Sequence, residues 1–541
     1  MTPARGGGDI SVCVVSPSPY RTGMSSLGFQ TVFALFSDAS GVRCERAFLP
    51  DREERDEYRR SKMRLLSLES QRPLADFDVI AFSTSFEPDY LNIPAMLELA
   101  GIPLYAAERG AGDPLIIAGG AAFMINPEPA VAFLDAVCIG EAEELVPRLV
   151  GALLSPAEGG RQGLLRTLSR LPGMYVPSLY QPHYEDGQLT GYDAMDGAPC
   201  RIERICVPAE NHPPATSRLL TGNTEFGDMF LVEVSRGCPR GCRFCTSGFM
   251  YAPFRQHSYE TLEAAVDAGL QYRSKIGLVG AAVSDLRDIG RLCRYVVEQG
   301  GKVSVSSLRI DRIDNDMLDA LVASGHKTIS LAPEGGSQRM RDLMRKNITE
   351  QQILDACDLL ISRDILNLRL YAIIGLPTED ERDLAELVRL VLAIRERVLE
   401  RARANRRLGE ITLSVNPFIP KPFTPFQWCA MEAPKSLERK VRFLESSLRG
   451  VSNVKLKVES LRESYLQALL SRGDRRLAPL VAAMARGASL KQAAAACGID
   501  TASYVTRTIP VGAFLPWEVI ASADDDLLRR EHAAALEGSG V

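Results

Sequence analysis

The length, composition and charge of the chain exclude several classes of protein. With 541 residues, of which 46% are hydrophobic, the chain is long enough for two or three domains. A formal net charge of -5, without a long block of Lys or Arg, argues against a nucleic-acid partner. The N-terminus MTPARGGGD has no apolar signal core, and no run of about 18 uncharged apolar residues follows. We therefore expect a cytoplasmic protein without a membrane span, whose 12 cysteines are reduced thiols.

Short apolar runs alternate with amphipathic, helix-length stretches in the first part of the chain. This pattern predicts an α/β fold, with a parallel sheet in a Rossmann-like domain over residues 9–153. The predicted strands are 10–16, 42–49, 77–83, 114–118 and 134–139. Small or polar residues follow several strands, where open α/β sheets bind ligands, although they could also only turn the chain. These residues are Ser16, Ser83, Thr84, Ser85, Gly119, Gly120, Gly140 and Glu141.

A second alternation follows a connecting segment, 154–228, that is rich in Pro, Gly and Tyr. Six strand and helix pairs in series over residues 229–430 predict a partial α/β barrel. Its predicted strands are 229–235, 275–284, 302–309, 327–332, 368–375 and 411–416. Thr349 with Gln352 and Thr378 with Glu381 have the spacing of helix capping boxes. Residues 431–541 are predicted to form a mostly helical C-terminal domain.

The most informative segment is VSRGCPRGCRFCTSG (234–248), which directly follows the first predicted barrel strand. Its cysteines Cys238, Cys242 and Cys245 have the spacing C-x3-C-x2-C, and no fourth cysteine follows at short distance. Three thiolates on one loop can hold three irons of a [4Fe–4S] cluster and leave the fourth iron open to a substrate or cofactor. A fully ligated cluster, by contrast, can only pass electrons.

Two alternative interpretations of the three cysteines make the chain a metal-binding protein without catalytic activity. A structural zinc site would need a fourth ligand, for which His257 is the only nearby candidate. A cluster used only for electron transfer is the other. Three further cysteines, Cys13, Cys44 and Cys138, invite the idea of a second cluster, but Cys13 and Cys138 lie inside apolar strand runs, which favours core packing.

The cysteine loop after the first strand of a six-unit barrel, with Phe244 before the third cysteine, resembles the radical S-adenosylmethionine (radical SAM) superfamily. VGAAVSD (279–285) stands where that superfamily has its Gly-rich segment. SVSSLRID (304–311), APEGGSQRMRD (332–342) and IIGLPTE (373–379) resemble the branch with an N-terminal cobalamin-binding domain. LPWEVI (515–520) is similar to the tail of one subgroup of that branch.

This resemblance implies roles for individual residues, although it assigns no catalytic side chain. The three cysteines would ligate the cluster, and the amino and carboxylate groups of S-adenosylmethionine would bind its fourth iron. Phe244 would lie against the adenine, and Gly280 and Ala281 would contact the amino group. The remaining implied contacts are Ser306, Arg309 and Glu334 with the ribose or carboxylate, and Ile374, Gly375 and Leu376 with the adenine.

Cobalamin is the third cofactor that the resemblance implies. No histidine precedes residue 183, so a lower axial histidine from the first domain is excluded. The positions at which related domains hold the nucleotide tail correspond to Ser83, Thr84, Ser85, Gly119, Gly120, Gly140 and Glu141. The alternative is a domain that no longer binds cobalamin and is kept for packing or substrate contact.

The resemblance therefore implies a radical enzyme in which the cleavage of S-adenosylmethionine yields a 5′-deoxyadenosyl radical. We expect cobalamin-dependent methyl transfer to an unactivated carbon of a small molecule or peptide, with flavodoxin or ferredoxin as electron donor. A radical rearrangement, cyclisation or oxidation without functional cobalamin is the alternative reaction, and a non-catalytic metal-binding protein is the alternative class. The aromatic segment 414–428 would either line the barrel mouth or cover a core.

Overall fold

The computed structural model describes residues 9–155, 158–306, 308–405, 407–521 and 524–537. Their contacts divide the chain into two units, each of which is discontinuous in sequence. The first unit contains Met1–Gly227, Leu469–Tyr504 and Gly512–Ser522. The second contains Asp228–Ala468, Val505–Val511 and Ala523–Val541. The C-terminal residues, expected to form one helical domain, are thus shared between the two units.

The first unit is built on a six-stranded sheet and a separate hairpin. The sheet contains β1 (Ile10–Ser16), β2 (Val42–Phe48), β3 (Val79–Ser83), β4 (Leu115–Gly119), β5 (Ala136–Cys138) and β6 (Met174–Tyr175), and the hairpin contains β7 (Tyr180–Glu185) and β8 (Gln188–Ala194). The helices are α1 (Tyr20–Gly23), α2 (Leu27–Asp38), α3 (Arg52–Ser61), α4 (Asn92–Ala100), α5 (Ala121–Ile125), α6 (Ala142–Leu154) and α7 (Gly160–Ser169). The predicted connecting segment thus contributes α7, β6 and the hairpin.

The sheet of the first unit has the strand order β2-β1-β3-β4-β5-β6. Its first five strands are parallel, and β6 pairs antiparallel with β5. In sheets of this order the chain reverses direction across the sheet between β1 and β3, and ligands bind at the carboxyl ends of those two strands. The parallel N-terminal sheet predicted from the apolar runs is confirmed.

The second unit contains an arc of parallel strands. Its strands are β9 (Met229–Glu233), β10 (Ser235–Arg236), β11 (Arg255–Gln256), β12 (Lys275–Val279), β13 (Lys302–Val305), β14 (Thr328–Glu334), β15 (Asn367–Ile374), β16 (Ile411–Pro417) and β17 (Val454–Val458). Two sheets, β13-β12-β9 and β14-β15-β16-β17, are joined by a parallel bridge between Leu308 and Leu331. The predicted barrel-type architecture is confirmed, and β17 adds a seventh parallel strand to the six that were predicted.

Helices follow the barrel-type strands and continue into the C-terminal region. Those among the strands are α8 (Tyr259–Leu270), α9 (Ile289–Glu298), α10 (Asn315–Ala323), α11 (Gln338–Leu343), α12 (Glu350–Ser362), α13 (Glu381–Asn405) and α14 (Pro434–Leu448). The C-terminal helices are α15 (Leu461–Arg472), α16 (Ala478–Ala485), α17 (Leu490–Cys497), α18 (Thr501–Val505) and α19 (Asp525–Glu537). Within the described ranges, none of the helices combines the length and apolar character that a membrane crossing requires.

The two predicted capping boxes have different outcomes. Thr349 and Gln352 form the expected reciprocal hydrogen bonds at the start of α12. At α13 the prediction of Thr378 and Glu381 is wrong, because Thr378 takes a left-handed backbone conformation with φ of 64°. Asp380 accepts instead from the backbone N–H groups of Arg382 (2.8 Å) and Asp383 (3.2 Å).

Buried polar contacts join the C-terminal segment of the first unit to the loops after β4. Asn126 donates to the carbonyl oxygens of Ser471 (3.1 Å) and Gly473 (2.8 Å). Arg475 Nε lies 2.8 Å from Glu128, whose carboxylate is fully buried and also accepts from the Tyr175 hydroxyl at 2.6 Å. This part of the first unit is therefore completed by residues far along the chain.

Candidate active site

The three motif cysteines lie on a loop that is closed at its base by a short antiparallel pairing. β10 pairs with β11 on either side of the loop. Just before it, Val234 N donates to Val279 O, the last residue of β12, at 2.8 Å. The loop thus leaves the carboxyl edge of the parallel strands, which is the edge that carries active sites in α/β barrels.

Two glycines allow the loop to fold closely upon itself. Gly237 has φ of 78°, and a Cβ atom there would lie 2.5 Å from the carbonyl oxygen of Tyr251. A Cβ atom on Gly248 would overlap the carbonyl oxygen of Arg240. Larger residues at either position would open the loop that carries the thiols.

The thiols of Cys238, Cys242 and Cys245 lie near one another. Cys242 is buried, the other two are half-buried, and Cys245 N donates to Cys242 O at 3.1 Å. Burial raises the pKa of Cys238 and of Cys242, and the charges of the neighbouring thiolates raise both pKa values further. Bound iron would offset both effects, because thiolates are the form that ligates metal.

Two cationic side chains lie near the buried thiol of Cys242. Lys346 and Arg309 each lower the pKa of Cys242 against the larger effect of burial. Lys346 Nζ lies 3.2 Å from Glu334, and Arg309 donates to the carbonyl oxygen of Lys346 at 3.1 Å. Glu334, at a bulge that ends β14, has φ of 64°, which is uncommon for a residue other than glycine. The structure therefore places two predicted residues, Arg309 and Glu334, beside Cys242.

A second set of charges holds the other side of the loop. The Arg240 guanidinium forms an ion pair with Asp285, and it lies 3.8 Å from Asp311. Asp311 also pairs with Arg309 at 2.6 Å, and Arg309 N donates to Ser284 Oγ at 3.0 Å. These contacts connect the cysteine loop to the segments that follow β12 and β13.

The residues predicted to contact the methionine end of S-adenosylmethionine differ in exposure. Gly280 is half-buried directly after β12, and Ala281 beside it is exposed. A Cβ atom on Gly280 would lie 2.9 Å from Ser235 Oγ, a buried hydroxyl without a hydrogen-bond partner among the described residues. Ser306 is exposed after β13. Their predicted roles stay predictions.

The residues predicted to surround the adenine belong to one apolar region. Ile374, Gly375 and Leu376 are buried after β15, and Phe244 packs against a cluster that includes Leu376. The cluster contains Met340, Leu343, Met344, Leu376, Phe418, Phe426, Cys429 and Ala535. Since Phe418, Phe423, Phe426 and Trp428 are all buried, the structure favours core packing for the aromatic segment 414–428.

A buried charge cluster supports the loop after β15. Gly375 N donates to Glu379 at 2.6 Å, and Lys440 Nζ lies 2.7 Å from both Glu379 and Glu432. Burial raises the pKa of Glu379, although Lys440 opposes the shift. Neither Lys440 nor Glu432 was predicted, because they follow the loop by about sixty residues in a region without a motif.

Within the described residues, no three His, Cys, Asp or Glu side chains converge on the position of a single metal ion. The three ligands of an iron–sulfur cubane bind different irons and need not meet at one point. The donor set itself, three neighbouring thiols with nearby cations, suits a cluster that carries negative charge.

Three segments of the first unit were predicted to contact cobalamin, and two of them, 83–85 and 119–120, lie side by side in the structure. Thr84 N donates to Gly119 O at 2.9 Å, and a Cβ atom on Gly120 would overlap the carbonyl oxygen of Thr84. Thr84 is fully buried, and its Oγ1 has no hydrogen-bond partner in the described part of the chain. Ser83 is half-buried and Ser85 is exposed. This edge of the sheet therefore carries an unsatisfied hydroxyl where a ligand was predicted.

The third predicted segment, Gly140 and Glu141, contacts the chain itself. Gly140 has φ of 133°, and a Cβ atom there would lie 2.5 Å from Ile205 N. Glu141 N donates to Ile205 O at 3.0 Å, and the Glu141 carboxylate accepts from Val207 N at 2.9 Å. Both residues therefore hold the segment around 202–207 against the sheet.

Asp89 lies near the carboxyl ends of β1 and β3 and had not been singled out in the sequence. It follows β3, and its carboxylate accepts from Ser18 Oγ, two residues after β1, at 3.3 Å. Burial raises the pKa of Asp89 to about 6, and the Glu87 carboxylate adds to that shift. No motif marked it, because the contact joins loops 71 residues apart.

Family models match both units of the chain. Residues 232–391 match the model described as the radical SAM superfamily, and residues 28–177 match the model of the N-terminal region of radical SAM proteins. The match over residues 232–391 contains the cysteine loop and the strands from β11 to β15. The chain belongs to the radical SAM superfamily and is a radical SAM enzyme, as the sequence motifs predicted.

Two curated relatives share sequence with the chain. It is 26% identical to the uncharacterized protein MJ0966 of Methanocaldococcus jannaschii over 469 residues, which cover 86% of this chain and 89% of the relative. It is 24% identical over 293 residues to a protein of Pyrococcus horikoshii named as an uncharacterized methyltransferase, PH0819. That alignment covers 52% of this chain and 59% of the relative.

Solved structures that align with the chain include two radical SAM enzymes. The methyltransferase TsrM from Kitasatospora setae aligns with a TM-score of 0.47 and 11% identity, over 78% of this chain and 74% of TsrM, in a structure with cobalamin and a [4Fe–4S] cluster. OxsB, with aqua-cobalamin and S-adenosylmethionine, aligns with a TM-score of 0.48 and 17% identity, over 71% of this chain and 52% of OxsB. Between them, these two structures hold a [4Fe–4S] cluster, cobalamin and S-adenosylmethionine.

Proposed function

We propose that Cys238, Cys242 and Cys245 hold a [4Fe–4S] cluster whose fourth iron binds S-adenosylmethionine. The observation that supports this most strongly is the position of three neighbouring thiols on a loop at the carboxyl edge of the barrel-type strands. When bound, the cluster and S-adenosylmethionine supply a 5′-deoxyadenosyl radical through one-electron cleavage of the sulfonium C–S bond. The nearby Lys346 and Arg309 balance the negative charge of the thiolates.

The surrounding residues bind S-adenosylmethionine and exclude water from it. Phe244 and Leu376 present an apolar wall for the adenine, backed by buried Ile374 and Gly375. Arg309 and Glu334 face the ribose or carboxylate, together with Ser306, while Gly280 and Ala281 contact the amino group. A pocket closed in this way protects a radical from water and from other C–H bonds.

We propose further that the reaction is a cobalamin-dependent methyl transfer to an unactivated carbon. The sheet order of the first unit and the unsatisfied Thr84 hydroxyl support a ligand at the predicted edge. The relative named as a methyltransferase supports the reaction. Ser83, Ser85, Gly119 and Gly120 would complete the cobalamin contacts, and the substrate would be a small molecule or peptide.

One observation favours a second candidate, a radical rearrangement, cyclisation or oxidation that does not use cobalamin. Gly140 and Glu141, predicted to hold the nucleotide tail, are engaged by the segment around Ile205 and Val207. Under either reaction the cluster needs one electron at a time. We therefore infer a flavodoxin or ferredoxin as its partner in the cytoplasm.

Anaerobic reconstitution tests the cluster and the radical chemistry together. The protein would be loaded with iron and sulfide, then given S-adenosylmethionine, hydroxocobalamin and a strong reductant. We expect bound iron and the formation of 5′-deoxyadenosine, both lost in Cys242→Ala and both retained in Cys497→Ala, a cysteine outside the motif. S-adenosylhomocysteine would additionally indicate that the methyl group has been transferred. An intact cluster that never cleaves S-adenosylmethionine, even across a panel of small-molecule and peptide substrates, would contradict the proposal.

Cobalamin binding is tested separately with Thr84→Val, which removes the hydroxyl and keeps the shape of the side chain. Because that hydroxyl has no hydrogen-bond partner among the residues that the structure describes, we expect the variant apoprotein to be at least as stable as the wild-type apoprotein. Affinity for hydroxocobalamin, measured by equilibrium dialysis, should fall by roughly tenfold through the loss of one buried hydrogen bond. Unchanged affinity would remove Thr84 from the site, and no binding by the wild type would favour the cobalamin-independent reaction.

A further inference from the structure

Arg243, between the second and third motif cysteines, is fixed by three other segments of the second unit. Its backbone N–H donates to Met344 O at 3.0 Å, and its carbonyl oxygen accepts from Phe426 N at 3.2 Å. Its guanidinium donates to Leu343 O at 2.9 Å and to the Glu531 carboxylate at 2.9 Å. Through this one residue, the backbone between Cys242 and Cys245 is therefore bound to three other segments.

Glu531 lies on α19 and binds two arginines at once. Its second carboxylate oxygen lies 2.6 Å from Arg345 Nη1, so each oxygen has its own guanidinium partner. Only 17% of the Glu531 side chain and 11% of the Arg243 side chain are exposed, so water screens this pair less than an ordinary surface ion pair. Arg345 in turn lies against the loop, with Nη1 3.1 Å from the position of a Cβ atom on Gly241.

The helix that carries Glu531 is anchored independently of this contact. Leu528, His532 and Ala535 are buried, and Ala535 belongs to the apolar cluster against which Phe244 packs. His532 Nδ1 donates to Pro425 O at 2.8 Å, and its ring meets that of Trp428 edge to face. The carboxylate of Glu531 is therefore presented from a fixed support.

We propose that Glu531 is a positioning residue for the cysteine loop, which it holds through Arg243 while its charge acts on the bound cluster. The inference rests on the proposed function, since it assumes that the loop carries a cluster. Loss of the Glu531 carboxylate removes a hydrogen-bond partner of the Arg243 guanidinium. It also leaves the positive charges of Arg243 and Arg345 beside the loop without the negative charge that balances them. The first effect loosens the loop, and the second stabilises the more negative, reduced cluster.

The test compares reconstituted holoenzymes of the wild type, Glu531→Gln, Arg345→Gln and Glu537→Gln. Glu537 is an exposed residue on the same helix and serves as the matched control. Two properties are measured: the rate of iron loss to a chelator, and the cluster reduction potential from a titration followed by electron paramagnetic resonance.

We expect Glu531→Gln to lose iron about tenfold faster, the factor appropriate to one charge-assisted hydrogen bond. Its reduction potential should shift to a more positive value. Arg345→Gln keeps the contact between Glu531 and Arg243, so its iron loss should stay near that of the wild type while its potential shifts to a more negative value. A merely structural role would give no such opposite shifts.

Each other outcome has a definite meaning. A wild-type protein that assembles no cluster would overturn the proposed function and this inference with it. A wild-type cluster with unchanged iron loss and potential in Glu531→Gln would overturn this inference alone. Should Glu531→Gln fail to fold, Glu531→Asp keeps the charge on a shorter side chain, and iron loss equal to that of the wild type would count against the positioning role.

Discussion

At the scale of one residue, Asp89 has a carboxyl group with a raised pKa at the sheet edge that we propose as a ligand site. Its carboxylate is held near the ends of β1 and β3 by Ser18, and burial raises its pKa to about 6. Nearby Thr84 has a buried hydroxyl without a protein partner in the described structure. Buried hydroxyl groups without a partner and carboxyl groups with a shifted pKa are both features that concentrate at functional sites. Both residues therefore fit the proposed use of this edge.

The raised pKa of Asp89 predicts a pH-dependent stability. A carboxyl group whose pKa rises on folding stabilises the protein below its unfolded pKa, and that contribution is lost as the pH rises through the folded value. Relative to Asp89→Asn, the wild type should lose roughly 1–3 kcal/mol between about pH 4 and pH 6, and little above that. Urea unfolding of both proteins at several pH values measures the difference, and a difference that does not vary with pH would refute the assignment.

Most strands of both units could be predicted from the sequence, because strands buried in parallel sheets are continuous apolar runs. For two of the strands that were not predicted, the physical cause is clear. β17, VKLKV, alternates Val and Leu with exposed Lys and lies in a helix-rich region, and β6 contains only two residues. At α13, the left-handed conformation of Thr378 moved the cap to Asp380.

The sequence predicted only those parts of the candidate site whose residues lie together in a short motif. The cysteine loop and the segment around Gly375 were recognisable because their residues are adjacent in sequence. Lys346, Lys440 and Glu531 were missed, since each meets the site through a contact formed only by folding. Glu531, for example, is 288 residues from Arg243.

At the scale of one element, the loop after β15 depends on the absence of a side chain at Gly375. Gly375 and Gly450 both have φ of 76°. A Cβ atom on Gly375 would lie 2.7 Å from Leu437, whereas a Cβ atom on Gly450 would have none of the described neighbouring atoms within 4 Å. Gly450→Ala should therefore cost about 1–2 kcal/mol of backbone strain, and Gly375→Ala should cost about 1–3 kcal/mol more for the overlap.

Thermal or urea unfolding measures these costs, and 5′-deoxyadenosine formation reports on the site. We expect only Gly375→Ala to reduce 5′-deoxyadenosine formation, because only its loop adjoins the proposed adenine pocket. Equal losses of stability and activity in the two variants would contradict this prediction. They would show that Leu437 can move away from a Cβ atom at position 375 without disturbing the loop.

At the scale of the whole molecule, each unit is assembled from segments that are distant in sequence. Within the first unit, the buried carboxylate of Glu128 depends on Arg475 for its charge partner. Removing one partner of a buried ion pair leaves a charge without compensation, which costs about 3–5 kcal/mol. The C-terminal segment is therefore part of the N-terminal fold.

This arrangement predicts that Arg475→Met destabilises one unit selectively. Amide hydrogen exchange should become faster in β1, β3 and β4, while β15 and β16 of the second unit should keep the wild-type rates. Arg486→Met is the matched control, because its partner Glu98 is partly exposed and the pair contributes less than about 1 kcal/mol. Faster exchange in both sets of strands would mean that the two units unfold together.

The distance of 347 residues between Glu128 and Arg475 has a consequence for synthesis on the ribosome. At about 5–20 residues per second, Glu128 is made tens of seconds before its cationic partner. During that interval the nascent sheet contains a carboxylate and an amide, Asn126, that it cannot yet bury in their final contacts. We therefore expect the first unit to complete its fold only after Arg475 has emerged from the ribosome, and thus after the strands of the second unit have been made.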